Sequence, residues 1–284
     1  MEQKASETNT YLFDPESPVE MARLIDLHRI TTEAMGGPLS GLPDLPADAH
    51  ILDLACGPGG WVLDVAYAHP DAQVAGVDIS KTMIEYANAR ARSQNLKNAS
   101  FGIMDITQPL DFADNTFDLV NARLLFGVLL RDNWKPLLRE CTRILKPGGH
   151  IRLTEPVDAT ITTSPAHERL NTLSYLFLWK NGYGFSVDGH SVGMTTVLPR
   201  MLREAGYQQV HTLAHALEFS ADCPSWKDFY HSTLAMTSMS RHLYVKSGLA
   251  TAEEIEQLCQ QVLLELHSSD FNAMWHMVTT LGLK

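Results

Sequence analysis

Ile51-Leu52-Asp53-Leu54-Ala55-Cys56-Gly57-Pro58-Gly59-Gly60 runs from an apolar strand into a glycine turn, with a carboxylate two residues in. Glycine has no Cβ to hold a ligand away, so main-chain groups of such a turn can approach one closely. Trp61-Val62-Leu63-Asp64-Val65-Ala66 follows and predicts a helix opening beneath the turn. Strand, glycine turn and helix N-terminus are the parts of a nucleotide-type cofactor site. Gly57-Pro58-Gly59 alone would equally suit a tight turn, so its surroundings decide.

Those surroundings supply two more acids. Val74-Ala75-Gly76-Val77-Asp78-Ile79 is a second apolar strand ending in a carboxylate. It lies about 20 residues beyond the glycines, the length of one βαβ unit. A carboxylate there can accept both hydroxyls of a ribose. Phe101-Gly102-Ile103-Met104-Asp105 ends a third strand, where Asp105 can accept from an exocyclic amine at the edge of an adenine pocket.

Strands and helices alternate through this region. Strands are expected at 50–55, 73–78, 98–104, 117–122 and 149–154, with helices at 59–68, from the N-cap Ser80 to Ala91, and at 134–145. Alternation of this kind implies a parallel sheet with helices on both faces, and ligands at the carboxyl ends of its strands. Ser17-Pro18 opens an earlier helix, with Met21, Leu24, Ile25 and Leu27 as its apolar face and Gly36-Gly37 as its end. Further helices are expected at 165–181, 194–205 and within 224–268, where Thr251 and Glu254 have capping-box spacing. Val210–Phe219 and Asn272–Leu281 have strand character.

Ile51–Gly60, Asp78, Asp105, Phe117-Asp118-Leu119-Val120 and Leu145-Lys146-Pro147-Gly148-Gly149-His150 resemble, in order and spacing, the class I S-adenosylmethionine-dependent methyltransferases. The resemblance is strong over residues 45–160 and looser elsewhere. The stretches from Leu12 to Gly37 and Met274 to Lys284 also look like bacterial small-molecule methyltransferases, nearest to the natural-product C-, N- and O-methyltransferases. It implies an α/β, Rossmann-like, seven-stranded and mostly parallel sheet with helices on both faces. The last strand would run antiparallel between strands five and six. Residues 1–46 would form an N-terminal helical arm and 47–284 the methyltransferase domain. Helical cap segments at about 160–205 and 224–268 would fold over the active site. S-adenosylmethionine is the implied cofactor, and S-adenosylhomocysteine the product.

By the same resemblance, Asp53 and Gly57 hold the methionine end of the cofactor, in a turn with Ala55, Cys56, Pro58 and Gly59. Asp78 holds the ribose and Asp105 the adenine. Ile79, Met83 and Ile106 flank the adenine ring, beside Met104. Asn121-Ala122-Arg123 lie near the sulfonium, with Arg123 in reach of the cofactor carboxylate; Tyr11 closes the pocket from the arm, and Arg29 pairs with the cofactor carboxylate. Plainer alternatives stand beside these roles: ordinary core for Ile79, Met83 and Ile106, a surface pair for Arg123, arm packing for Tyr11, and a solvated helix face for Arg29. Cys56 fits a small packed residue better than a thiolate nucleophile, because nothing near it in sequence resembles a base.

Methyl transfer from a sulfonium is an in-line displacement with an already activated donor. The enzyme aligns the acceptor, excludes water and, for some acceptors, takes a proton. Glu155, ending Leu153-Thr154-Glu155, faces the expected acceptor edge and can bind an amine or accept a proton; satisfaction by loop backbone is the alternative. His190, on an expected loop, is the candidate general base, against a solvent-exposed histidine. His167 and His231 have weaker claims. The aromatic groups Tyr175–Phe185 and Trp226–Tyr230 can line an apolar acceptor pocket or pack the cap.

His211-Thr212-Leu213-Ala214-His215 has a metal-site spacing on a helix, but the segment has strand character, where residues four apart are too distant to share an ion. No metal is expected. Net charge is −11 over 284 residues, with no Lys/Arg run, which argues against nucleic acid as a partner. The start lacks an apolar signal core and no span is long enough to cross a bilayer, so a cytoplasmic protein is expected. Cys56, Cys141, Cys223 and Cys259 are dispersed and suggest neither disulfides nor zinc. The arm helix could support a homo-oligomer. A nicotinamide-dependent oxidoreductase would want a third glycine where Val62 stands. A non-catalytic cofactor-binding protein, or use of the sulfonium for other chemistry, would keep the acids.

Overall fold

The structure, a computed structural model, describes residues 10–187 and 190–284. Five parallel strands form its centre: β1 (His50–Leu54), β2 (Gln73–Asp78), β3 (Ala99–Ile103), β4 (Phe117–Arg123) and β5 (Leu145–Pro156), in the order β3-β2-β1-β4-β5. A two-residue strand, β6 (Ile161–Thr162), follows, and then β7 (Gln208–Glu218) and β8 (Ala273–Leu283). β8 runs antiparallel between β5 and β7, and β6 extends the β5 side of β8 opposite Met274 and Ala273. The expected seven positions are therefore present, and β6 is an eighth strand the sequence did not signal.

The helices are α1 (Pro18–Ala34), α2 (Gly60–Ala68), α3 (Lys81–Ser93), α4 (Trp134–Ile144), α5 (Pro165–Lys180), α6 (Met194–Glu204), α7 (Trp226–Lys246) and α8 (Ala252–Leu266). Side chains of Ser17, Ser80 and Thr251 accept the N–H three residues on, as their spacing predicts. The box at Thr251 is half formed, because the Glu254 carboxylate pairs with Arg169 at 3.0 Å. None of the described helices is long and apolar enough to cross a membrane.

Alternation along β1 explains the layering, because successive side chains leave a strand on opposite faces. Ile51 joins Trp61, Val62 and Val65 of α2 and Ile84 of α3 in one core. Leu52 and Leu54 join Leu137, Leu138 and Cys141 of α4 and Leu198 and Leu202 of α6 in another. Burial on both faces is why the central strands are almost continuously apolar. A third core ties α5, α7 and α8 to the ends of β7 and β8 through Leu170, Phe229, Val262, Leu217 and Met277. These three helices form the cap. α6, expected within the cap, packs on the sheet instead, because Met194, Leu198 and Leu202 share one apolar stripe directed at it.

Gly59 precedes α2 with φ +78°. A Cβ there would lie 2.6 Å from the Phe101 ring and 2.7 Å from the Ala87 methyl. Its requirement is therefore steric, set by α3 and β3. Gly59→Ala should destabilise the fold by about 2–4 kcal/mol, from left-handed strain and overpacking together. Urea unfolding of the variant measures this, and a change below about 1 kcal/mol would refute the packing assignment.

Candidate functional site

A cavity of about 360 Å³ opens at the carboxyl ends of β1, β2 and β4, between the sheet edge, the N-terminal arm and the cap. Asp53, Asp78 and Asp105 all line it. So do Ala55, Cys56, Gly57, Pro58, Ile79, Met83, Met104, Ile106, Arg123 and Tyr11. Ala55 and Leu124, which end β1 and β4 at this edge, have φ of +52° and +61°. Left-handed backbone at non-glycine residues is strained and concentrates at functional sites.

The three acids have different surroundings. Asp53 is buried, and burial pushes its pKa up to about 6. Its Oδ1 accepts from Asn121 Nδ2 at 2.7 Å, and Asn121 Oδ1 accepts from Arg152 Nη1 at 2.8 Å. Arg152 is fully buried, its Nη2 has no hydrogen-bond partner among the described residues, and burial pulls its pKa down to about 9. Asp78 accepts from the N–H of Gly57 at 2.8 Å and of Ser80 at 2.9 Å, and burial raises its pKa. Asp105 Oδ1 accepts from the N–H and hydroxyl of Thr107 at 2.9 and 2.7 Å. Among the described residues none of the three acids forms a direct salt bridge.

Arg123 forms no surface pair. Its guanidinium turns toward α1, donating to Thr32 Oγ1 at 3.1 Å and to His28 Nδ1 at 2.9 Å. His28 Nε2 lies 2.9 Å from Asp64 Oδ2. Because Nδ1 accepts from the guanidinium, the ring proton is assigned to Nε2, which faces the Asp64 carboxylate; burial lowers the His28 pKa. Gly60 stands directly over this ring, where a Cβ would come within 2.3 Å of it.

The arm is fixed at several points. Glu16 accepts from the N–H groups of Lys81 and Thr82 at 3.1 Å each, placing its charge at the positive end of α3. Tyr11 donates to Glu20, whose carboxylate also receives Arg23 Nε and Nη2 at 2.7 Å. Glu20 is fully buried, and burial pushes the Tyr11 phenol well above its ordinary range. Sequence reasoning missed Glu20, Arg23, His28 and Arg152. The three-residue spacing of Glu20 and Arg23 signals a pair, but nothing local says that the pair is buried.

Several expected roles are corrected. Arg29 is exposed and pairs with Asp228 of α7 at 2.8 Å, away from the cavity, because it lies on the outer side of α1. Gly59 does not line the cavity, and Ala122 is fully buried in the sheet core. Asn121 reaches the site only through Asp53. Glu155 is sealed behind the β4 end, accepting the N–H of Leu125 at 2.7 Å and of Phe126 at 3.0 Å. It does not line the cavity, and burial pushes its pKa up to about 8. His190 is exposed and outside the cavity lining. The Cys56 thiol is pushed well above its ordinary range by burial, as suits a packed residue. His211 and His215 of β7 lie 2.9 Å from the Gln209 carbonyl and the Thr279 hydroxyl.

Residues 51–149 match the protein family described as a methyltransferase domain. A demethylmenaquinone methyltransferase of Lactococcus lactis is 33% identical over 137 residues, 48% of this chain and 50% of that protein. The chain spans half or less of the length of the curated relatives it first matches. Among solved structures, YcgJ of Bacillus subtilis superposes with a TM-score of 0.53 at 18% identity, over 85% of this chain and 94% of its own. A geranyl diphosphate C-methyltransferase of Streptomyces coelicolor does so with 0.51 at 14% identity, over 98% and 91%. These likenesses are of fold, and they cover more of the chain than the matched segment does.

The Glu155 environment yields a measurable difference. Gln keeps one acceptor but turns an amide toward a backbone N–H, so Glu155→Gln should cost about 1–3 kcal/mol at pH 5. Glu155 ionises at 4.5 when unfolded and at about 8 when folded, so its stabilisation is complete below pH 4.5 and is lost as pH rises toward 8. Urea unfolding from pH 5 to 8 should show the gap between wild type and variant narrowing; a widening gap would refute the assignment.

Proposed function

We propose that this chain is a class I methyltransferase that transfers a methyl group from S-adenosylmethionine to a small, partly apolar organic acceptor, a reading supported by its fold and its matched segment. The methylated atom is a carbon, nitrogen or oxygen. The observation that carries this reading is the set of three acids at adjacent strand ends on one cavity, none neutralised by a direct salt bridge among the described residues. Asp53 is buried and Asp78 and Asp105 are half-buried, and carboxylates withdrawn from water need hydrogen-bond donors, which the amine and hydroxyl groups of this cofactor supply.

In this reading Asp53 meets the ammonium group, Asp78 the ribose hydroxyls and Asp105 the adenine amine. Gly57 passes close to the methionine end, and Ile79, Met83 and Ile106 enclose the adenine between apolar walls. When bound, S-adenosylmethionine supplies a methyl group activated by the sulfonium charge. The chain's own residues orient and exclude water. The Arg152–Asn121 pair holds Asp53 in place, and Tyr11, fixed by Glu20 and Arg23, lies along the cavity wall from the arm. Neither Glu155 nor His190 lines the cavity, which favours catalysis by alignment and desolvation. We divide the chain into an arm over 1–46 and a catalytic unit over 47–284, and we assign it to the cytoplasm with a small-molecule partner rather than nucleic acid, from its charge of −11.

Two binding measurements test this. Asp78→Ala should weaken S-adenosylhomocysteine by at least roughly tenfold, about 1.4 kcal/mol, in calorimetric titration. Unchanged affinity in a folded variant would remove the ribose assignment. Asp53 is ionised only above about pH 6, and the ionised form holds the ammonium. Affinity should therefore fall as pH drops from 7.5 to 5, by up to about tenfold per unit. Asp53→Asn should bind weakly and flatten the profile; a steep profile in that variant would place the titrating group elsewhere.

A further inference from the structure

We infer that the cap side of the cavity takes an uncharged, largely apolar molecule bearing a hydroxyl or carbonyl oxygen, and that His167 of α5 hydrogen-bonds that oxygen. This deepens the methyl-transfer proposal and rests on it.

His167 lines the cavity and is 7% exposed. Its backbone N–H donates to Ser164 Oγ at 3.0 Å, and its ring sits 5.4 Å from that of Phe229. The ring forms no hydrogen bond with the described residues, and its Nδ1 is buried without a partner. Burial pulls the pKa down to about 4, with Glu265 only partly opposing, so the imidazole is neutral. A neutral imidazole has one donor and one acceptor nitrogen. Orphaned buried N–H groups are rarer than under-satisfied acceptors, so the unpartnered Nδ1 is assigned the lone pair. Nε2–H is then the donor left for a ligand.

Neighbouring polar groups are largely committed elsewhere. Thr237 and Ser240 donate to carbonyls of their own helix, Ser174 pairs with Tyr244, and Asn171 Nδ2 donates to the Thr160 carbonyl. Around His167 the wall is apolar, with Leu170, Phe219, Phe229, Met236 and Trp275. Among the described residues no lysine lines the cavity, and the two arginines that do, Arg23 and Arg123, lie against α1, where Arg23 pairs with Glu20 and Arg123 donates to Thr32 and His28. Asp158, also in the wall, is paired with His276 at 2.8 Å. Among the described residues neither α5 nor α7 brings a lysine or arginine to the wall, so a phosphate or carboxylate held between them would be an unpaired buried anion, which is strongly disfavoured.

The test uses three probes of one shape: 1-naphthol, naphthalene and 1-naphthyl phosphate. Binding is measured by equilibrium dialysis against the full chain saturated with S-adenosylhomocysteine. 1-Naphthol should bind at least about tenfold more tightly than 1-naphthyl phosphate. His167→Phe should weaken 1-naphthol by roughly three- to tenfold and leave naphthalene unchanged, as loss of one hydrogen bond requires. His167→Gln, which keeps a donor, should retain most of the 1-naphthol affinity. Equal or tighter binding of the phosphate overturns the inference, as does equal weakening of 1-naphthol and naphthalene in His167→Phe, or failure of 1-naphthol to bind. Titration of S-adenosylhomocysteine on the same samples keeps the two readings separate. If wild type does not bind it, the methyl-transfer proposal falls; if it binds and the probes behave otherwise than stated, only the present inference falls.

Discussion

A row of three buried polar side chains crosses the centre of the sheet, and the site depends on it. Asp53 on β1 stands opposite Asn121 on β4, and Asn121 stands opposite Arg152 on β5. All three are buried. A carboxylate and a guanidinium removed from water are tolerable only when hydrogen-bonded, and Asn121 serves both with one amide. The row therefore fixes the register of three strands. A slip of one residue would send each polar group to the opposite, apolar face.

That register determines what reaches the cavity. With Asp53 held in line, β1 ends at Ala55, and Gly57 donates its N–H to Asp78 at the end of β2. Turn and second acid are thereby one structure. β4, held by the same row, ends at Arg123 and Leu124, and the N–H groups of the following turn close on Glu155. Asp78 ties the end of β2 to the turn after β1, and Glu155 ties the end of β5 to the turn after β4, so neighbouring strand ends are joined at this edge, and a preformed edge lowers the cost of binding.

The remaining walls come from distant parts of the chain. α1 reaches the site through Arg123, His28 and Glu20, and α5 and α7 through an apolar core shared with β7 and β8. The side of the cavity formed by the strand ends is thus charged and anchored to the sheet, while the cap side is largely apolar and anchored to helices. Chemistry that needs a polar donor and an apolar acceptor in one dry space has that division available to it.

Sequence alone determined the alternating strands and helices, the glycine turn and the acids at 53, 78 and 105. Those signals are local: side-chain period, turn chemistry and a fixed βαβ spacing set them within short windows. The direction of polar side chains was decided only in three dimensions. Glu155 was legible as a strand-end acid, yet its orientation depends on the turn after β4, 29 and 30 residues away. Arg123 was legible at the site, but its partner His28 lies 95 residues earlier. Arg29 has a polar setting on α1, and its pairing with Asp228 spans 199 residues. Glu20 and His167 show no burial signal in sequence, because burial of a charged or polar group is set by what packs over it, and that is a property of the assembled fold.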